Sequence, residues 1–272
     1  MGEGMSTPPI AWARAHQAGA PQLLACHGVT DNAASLSGVL RRWRGVYDVT
    51  CLDARGHGLS PRFTPEQLVD PMSTMVDDLI RLLESRRVHE PHAFRTLMGH
   101  SMGGAVCAAV AAARPDLVDA LIVEDPAWLD AQQEEDYRRG AEAMVERMER
   151  IAADPARALA ENRRSYPGWE IDEACGWLQG KIQVDRDFLR TGEVAPRGSW
   201  RGTASTLSVP TLVLTSDGRD ALLGKGGLAS VRALGNARLR TVLVPGASHC
   251  VRRDQAGGFY RSCEAFLREV VS

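Results

Sequence analysis

An α/β fold with a mostly parallel central sheet flanked by helices is what this sequence predicts, and three observations carry it. Short apolar strands alternate with helices from residue 22 to 124, and the rhythm resumes at residue 210. A Gly-x-Ser-x-Gly segment, Gly99-His100-Ser101-Met102-Gly103, joins one such strand to an alanine-rich helix. Residues 126 to 205 lose the strand pattern and read as a helical insertion. Strand–helix alternation of this kind implies right-handed crossovers, and so parallel strands.

Taken in order, strands are expected near 22–26, 47–52, 93–98, 119–124, 210–215 and 239–244, each a run of apolar and β-branched residues. Helices are expected near 33–43, 72–87 and 102–113, with a last one near 254–270. Within the insertion, residues 134–160 are charged and strongly helical. Residues 161–205 carry Tyr166, Trp169, Trp177 and Trp200 without a strand pattern.

Composition narrows the class of protein. The chain has 272 residues, 44% of them apolar, enough to fill a core. A net charge of −2 makes no electrostatic case for nucleic acid or an acidic membrane. No run of 18 apolar residues occurs, and no basic-then-apolar segment opens the chain, so a soluble cytoplasmic protein is expected. Met1-Gly2-Glu3-Gly4-Met5-Ser6 formally fits a myristoylation pattern, which a short flexible leader explains equally well. The six cysteines include no Cys-x-x-Cys pair, so no zinc ribbon or dithiol redox site is indicated, and no metal site is expected. There is also no dinucleotide fingerprint and no phosphate loop, so no cofactor is expected.

The motifs point to nucleophilic chemistry. A serine on a sharp strand-to-helix turn, with small residues on both sides, is a nucleophile elbow. A serine hydroxyl is too weakly acidic to attack alone and needs a base. His249, on the loop after the last strand, is the last histidine of the chain and the best candidate. Upstream, strand 22–26 runs into His27-Gly28-Val29-Thr30-Asp31, and strand 47–52 into Asp53-Ala54-Arg55-Gly56-His57-Gly58-Leu59-Ser60.

These segments, with the elbow at Ser101 and the late Gly246-Ala247-Ser248-His249, make the chain resemble the α/β-hydrolase superfamily, in the family's order and over nearly its whole length. The resemblance implies a core domain over 1–125 and 206–272, with 126–205 as a helical cap over the site. It implies Ser101 as nucleophile and His249 as base, with an oxyanion hole made by the backbone N–H groups of Met102 and Val29. Thr30 and Trp128 would stand at the substrate's edge, although Trp128 reads equally well as a core residue anchoring the cap.

The acid is open at this stage. The loop after strand 210–215 is the commonest place, but Ser216-Asp217-Gly218-Arg219-Asp220 departs from the family's Gly-x-x-Asp, leaving Asp217 and Asp220 as candidates. A subset of the family carries the acid one strand earlier, 24 residues after the nucleophile, where Asp125 stands. The expected function is hydrolysis of a carboxylic ester or lactone of a small, apolar or aromatic molecule through an acyl-enzyme on Ser101. The alternatives are a C–C bond hydrolase, amidase or thioesterase with the same residues, the cap arginines Arg163, Arg164, Arg186 and Arg190 then holding a substrate carboxylate. A ligand-binding member without turnover is a further alternative. The expected partner is a small-molecule substrate, with neither nucleic acid nor membrane, on a monomer or homodimer.

Overall fold

The computed structural model describes residues 9–271, so the Met1–Ser6 pattern lies outside the described residues. Seven strands form one sheet in the order β1-β3-β2-β4-β5-β6-β7. They are β1 (Trp12–Ala15), β2 (Gln22–Cys26), β3 (Asp48–Leu52), β4 (Arg95–His100), β5 (Ala120–Glu124), β6 (Thr211–Ser216) and β7 (Leu239–Val244). Neighbours pair in parallel except β1, which runs antiparallel to β3 at the edge.

Strand side chains alternate between two cores, as the period of 2 requires. Leu24, Cys26, Leu121 and Val123 enter one core, while Leu23, Ala25, Ala120 and Ile122 enter the other. The first core is closed by helices α2 (Pro71–His89), α3 (Met102–Ala113) and α9 (Gly224–Ala233). The second is closed by α1 (Ser37–Trp43) and α11 (Ala256–Val270), with α10 (Val251–Asp254) leading into the latter. Fully buried aliphatic and aromatic side chains such as Leu83 and Phe259 each contribute roughly 1.5–3 kcal/mol by leaving water.

Between β5 and β6 the chain forms α4 (Ala131–Ala153), α5 (Pro155–Ser165), α6 (Ile171–Gln183), α7 (Arg186–Thr191) and α8 (Trp200–Thr206). The continuous helix expected over 134–160 is split at Asp154-Pro155. Proline cannot donate inside a helix but suits a first turn. Asp154 accordingly caps α5, accepting from the Arg157 N–H at 3.0 Å.

Three further differences have local causes. β4 ends two residues later than expected because Gly99 and His100 stay in register with Val123 and Glu124. β1 escaped the sequence reading because an edge strand of four half-exposed residues has hardly any apolar pattern. Helix α9 escaped it because Gly224, Gly226 and Gly227 lower its propensity, and only Leu228 and Val231 are buried.

Candidate active site

Loops at the carboxyl ends of β2, β4, β5 and β7 converge, at the place in the sheet where β2 lies between β3 and β4 and the strand order reverses. Ser101 sits between β4 and α3 with φ 53° and ψ −119°, a conformation only glycine adopts freely. It is held from both sides: the Ser101 N–H donates to the Glu124 carbonyl at 3.0 Å, and the Ser101 carbonyl accepts from the Ala127 N–H at 2.9 Å. The turn closes only because its neighbours lack side chains. A Cβ on Gly99 would stand 2.3 Å from the Gly103 carbonyl oxygen, and one on Gly103 2.5 Å from that of His27.

His249 and Asp125 meet on this face. His249 Nδ1 lies 2.5 Å from Asp125 Oδ2. With Nδ1–H donating to a carboxylate, the neutral imidazole has its other nitrogen, Nε2, free to accept a proton. Asp125 is fully buried and has φ 38°. Its carboxylate also accepts from the Thr215 hydroxyl at 2.6 Å, the Leu222 N–H at 2.9 Å and the Leu223 N–H at 3.0 Å. Four donors converge on this buried group, supplying the hydrogen bonds that a polar group removed from water requires.

The two competing carboxylates do different work. Asp217 is exposed, accepts from the Gly246 N–H at 2.8 Å and pairs with Lys225. These contacts, the Gly246 N–H foremost, hold its carboxyl below the ordinary range. Asp220 accepts from the backbone N–H of His249 at 3.1 Å and so holds the loop rather than the ring.

The histidines of the motifs bond backbone groups. His100 is buried, and its Nε2 meets the His249 carbonyl at 3.2 Å, supporting the loop that carries His249. His27 Nε2 accepts from the Ala54 N–H at 3.1 Å, so its Nδ1–H donates to the Gly28 carbonyl at 2.8 Å. Burial lowers the pKa of both, and of His57, below the usual histidine value. Burial pushes the Cys250 thiol up to about 11, which disfavours the thiolate.

Met102 opens α3, where the first N–H groups have no intrahelical acceptor. Val29 is half-buried on the loop after β2. Among the described residues, neither N–H finds a hydrogen-bond acceptor. Thr30 is buried with φ 63°, a backbone strain of about 1–3 kcal/mol. Its carbonyl accepts from Lys181 Nζ at 3.0 Å. Trp128 is packed as core, its ring parallel to that of Trp200 at 5.2 Å, so the contacts describe the anchoring role. Trp169 is likewise buried and donates to Asp254 at 2.7 Å.

Three of the four arginines named in the insertion are engaged locally, while Arg164 is exposed. Arg163 donates to the Trp169 carbonyl, Arg186 to the Val184 carbonyl, and Arg190 pairs with Asp187 and Glu142. Thr215, Lys181 and the Leu222–Leu223 amides were not singled out by sequence reasoning. No motif flags them, because their partners lie about 90 to 150 residues away in the chain. Among the described residues, no group of three or more His, Cys, Asp or Glu is placed to hold a metal ion. No helix among them is long and apolar enough to cross a membrane.

Residues 19–256 match the family model described as "Serine aminopeptidase, S33". The chain belongs to that family, and so to the α/β-hydrolases. The chain is 28% identical over 240 residues to the 2-(acetamidomethylene)succinate hydrolase of Mesorhizobium japonicum, covering 85% of this chain and 82% of that one. A stretch of 103 residues is 33% identical to uncharacterized proteins of Mycobacterium bovis and Mycobacterium tuberculosis; it is 38% of this chain and spans 28% of their length, well under two thirds. Among solved structures, E-2-(acetamidomethylene)succinate hydrolase superposes with a TM-score of 0.76 at 19% identity, covering 95% of both chains. The enol-lactonase from Burkholderia xenovorans LB400 superposes with a TM-score of 0.73 at 19% identity, covering 95% of this chain and 96% of that one. These structural likenesses are likenesses of fold.

Proposed function

We propose that this member of the family is a serine hydrolase that cleaves a carboxylic ester or lactone of a small molecule through an acyl-enzyme on Ser101. The contact that carries the reading is the 2.5 Å approach of His249 Nδ1 to a fully buried Asp125. A buried carboxylate on Nδ1 fixes the tautomer and stabilises the imidazolium. His249 Nε2 then takes the proton of Ser101 as its oxygen attacks the carbonyl carbon. The tetrahedral oxyanion is received by the N–H groups of Met102 and Val29. The imidazolium returns the proton to the leaving oxygen, and water repeats the sequence on the acyl-enzyme. In this reading residues 126–205 are the cap, and Ser101, only 2% exposed, is reached when substrate passes it.

A second reading, hydrolysis of an amide in a small N-acyl molecule, draws support from the Mesorhizobium relative, whose name states such a substrate and which matches most of the chain. It needs stronger protonation of the leaving nitrogen by the same imidazolium.

The test is labelling of the purified protein with a fluorophosphonate, beside Ser101→Ala, followed by a panel of aryl esters, lactones and N-acyl amides. Labelling and turnover that vanish in the variant are expected, with esters or lactones ahead of amides. Labelling that persists in Ser101→Ala would refute the assignment, and amides ahead of esters would favour the second reading.

A further inference from the structure

Behind Ser101 and His249 runs a buried ionic network that acyl transfer itself does not use. Lys181 Nζ bonds Asp31 Oδ1 at 3.1 Å, and Arg253 meets Asp31 Oδ2 at 3.1 Å and Glu173 at 3.0 Å. Arg252 bonds Glu124 at 3.0 Å. No side chain in the set is more than 9% exposed. Three cations (Lys181, Arg252, Arg253) balance three anions (Asp31, Glu124, Glu173), so the network carries no net charge to bury.

Four of its members lie close in the chain to Val29, Asp125 and His249. Asp31 follows the Val29–Thr30 loop, Glu124 precedes Asp125, and Arg252 and Arg253 lie just after His249. The remaining two, Glu173 and Lys181, both come from α6, a helix of the insertion.

Helix α6 is also docked on the Val29-to-Ser35 segment at backbone distance. A Cβ on Gly176 would stand 2.4 Å from the Ala34 carbonyl oxygen, and one on Gly180 2.8 Å from the Thr30 carbonyl oxygen. Gln183 adds a bond to Asn32 at 3.0 Å. Lys181 therefore reaches the strained Thr30 from a helix that lies against it, donating to its carbonyl at 3.0 Å. A buried ionic cluster adds little net stability over apolar packing of the same volume, so what it contributes here is geometry. Burial alone would raise the Asp31 carboxyl, yet Arg253, Lys181 and Arg252 outweigh it and hold it well below the usual range.

We propose that Lys181 is a positioning residue: from α6 it holds the Thr30–Asp31 segment so that the Val29 N–H is aimed at the oxyanion, making α6 a fixed wall of the site rather than part of a moving lid. The inference rests on the serine-hydrolase reading and deepens it. Loss of one oxyanion donor lowers kcat by about 10²–10³-fold without weakening ground-state binding to match.

The experiment compares wild type with Lys181→Met, Lys181→Arg and Gly180→Ala. It measures kcat and KM on p-nitrophenyl acetate, the rate of fluorophosphonate labelling, and Tm. Lys181→Met should lower kcat and the labelling rate by about 10²-fold with KM within threefold, and Lys181→Arg should recover part of the loss. Gly180→Ala should lower kcat in the same way, since its methyl displaces the Thr30 carbonyl without changing any charge. It decides the matter should Lys181→Met fail to fold. Folded variants with wild-type kcat, or a loss confined to KM, would overturn the inference while leaving the hydrolase reading intact. Absence of Ser101-dependent labelling in wild type would remove that reading, and this inference with it.

Discussion

His249 Nδ1 and Asp125 Oδ2 stand 2.5 Å apart although 124 residues separate them in the chain, and the carboxylate is wholly enclosed. Asp217, the nearer candidate in sequence, instead holds the Gly246 amide at the surface. Asp125→Asn should therefore lower kcat by about 10³–10⁴-fold with the fold retained, because the amide favours the wrong histidine tautomer. Asp217→Asn should change kcat by less than about tenfold, since it touches no reacting group. Kinetics on one ester with both variants checks this, and the reverse ranking would refute the acid assignment.

Thr215 is the buried partner of that acid, donating to Asp125 Oδ1 at 2.6 Å and accepting from the Gly224 N–H at 3.1 Å. Thr215→Val keeps the shape and removes both bonds. A stability loss of about 1–3 kcal/mol is expected in denaturant melts. A fall in kcat of roughly tenfold should accompany it, equal to about 1.4 kcal/mol of transition-state stabilisation.

Glycine matters at the elbow for space. A Cβ on Gly103 would meet two backbone oxygens, at 2.5 Å and 2.6 Å, and neither can move without unpairing β2 or its loop. Gly103→Ala should cost about 3 kcal/mol, near the upper end for overpacking. Gly140, inside α4 with nothing within 4 Å of its added methyl, gives the opposite sign. Gly140→Ala should stabilise by about 0.5–1 kcal/mol in the same assay.

Acid should destabilise the protein through its buried histidines. Burial lowers the pKa of His27, His57 and His100 in the folded state. The unfolded chain binds protons near pH 6.5 that the folded chain refuses, so this stability is present above that pH and is lost as pH falls below it. Each residue contributes at most about 1.4 kcal/mol per pH unit. Urea melts between pH 7.5 and 5 should show that decline, and His57→Asn should make it shallower. An unchanged slope would mean that His57 is protonated in the fold.

Much of the frame was legible because it is local. The strand-to-helix junction around Ser101, the βα alternation and the helical insertion follow from apolar runs, small residues and breakers that act within a few residues of one another. Strand β1 and helix α9 were not legible for the same reason, since one is too short and half-exposed and the other too rich in glycine. The elbow and the late loop histidine were readable as candidates, and Asp125 through its likeness to a subset of the family that carries the acid 24 residues after the nucleophile, beside two rivals.

By itself the sequence determined the α/β frame, the family, and which side chains have the chemistry to attack and to accept a proton. Only the tertiary structure decided which carboxylate meets His249, that Trp128 stacks on Trp200 in the core, and that Lys181 of α6 reaches the Thr30 carbonyl. Such contacts join residues that no local propensity connects. They exist because parallel strands bring the ends of distant crossovers to one edge of the sheet, where a buried charge or amide must find whatever partner the packing has left beside it.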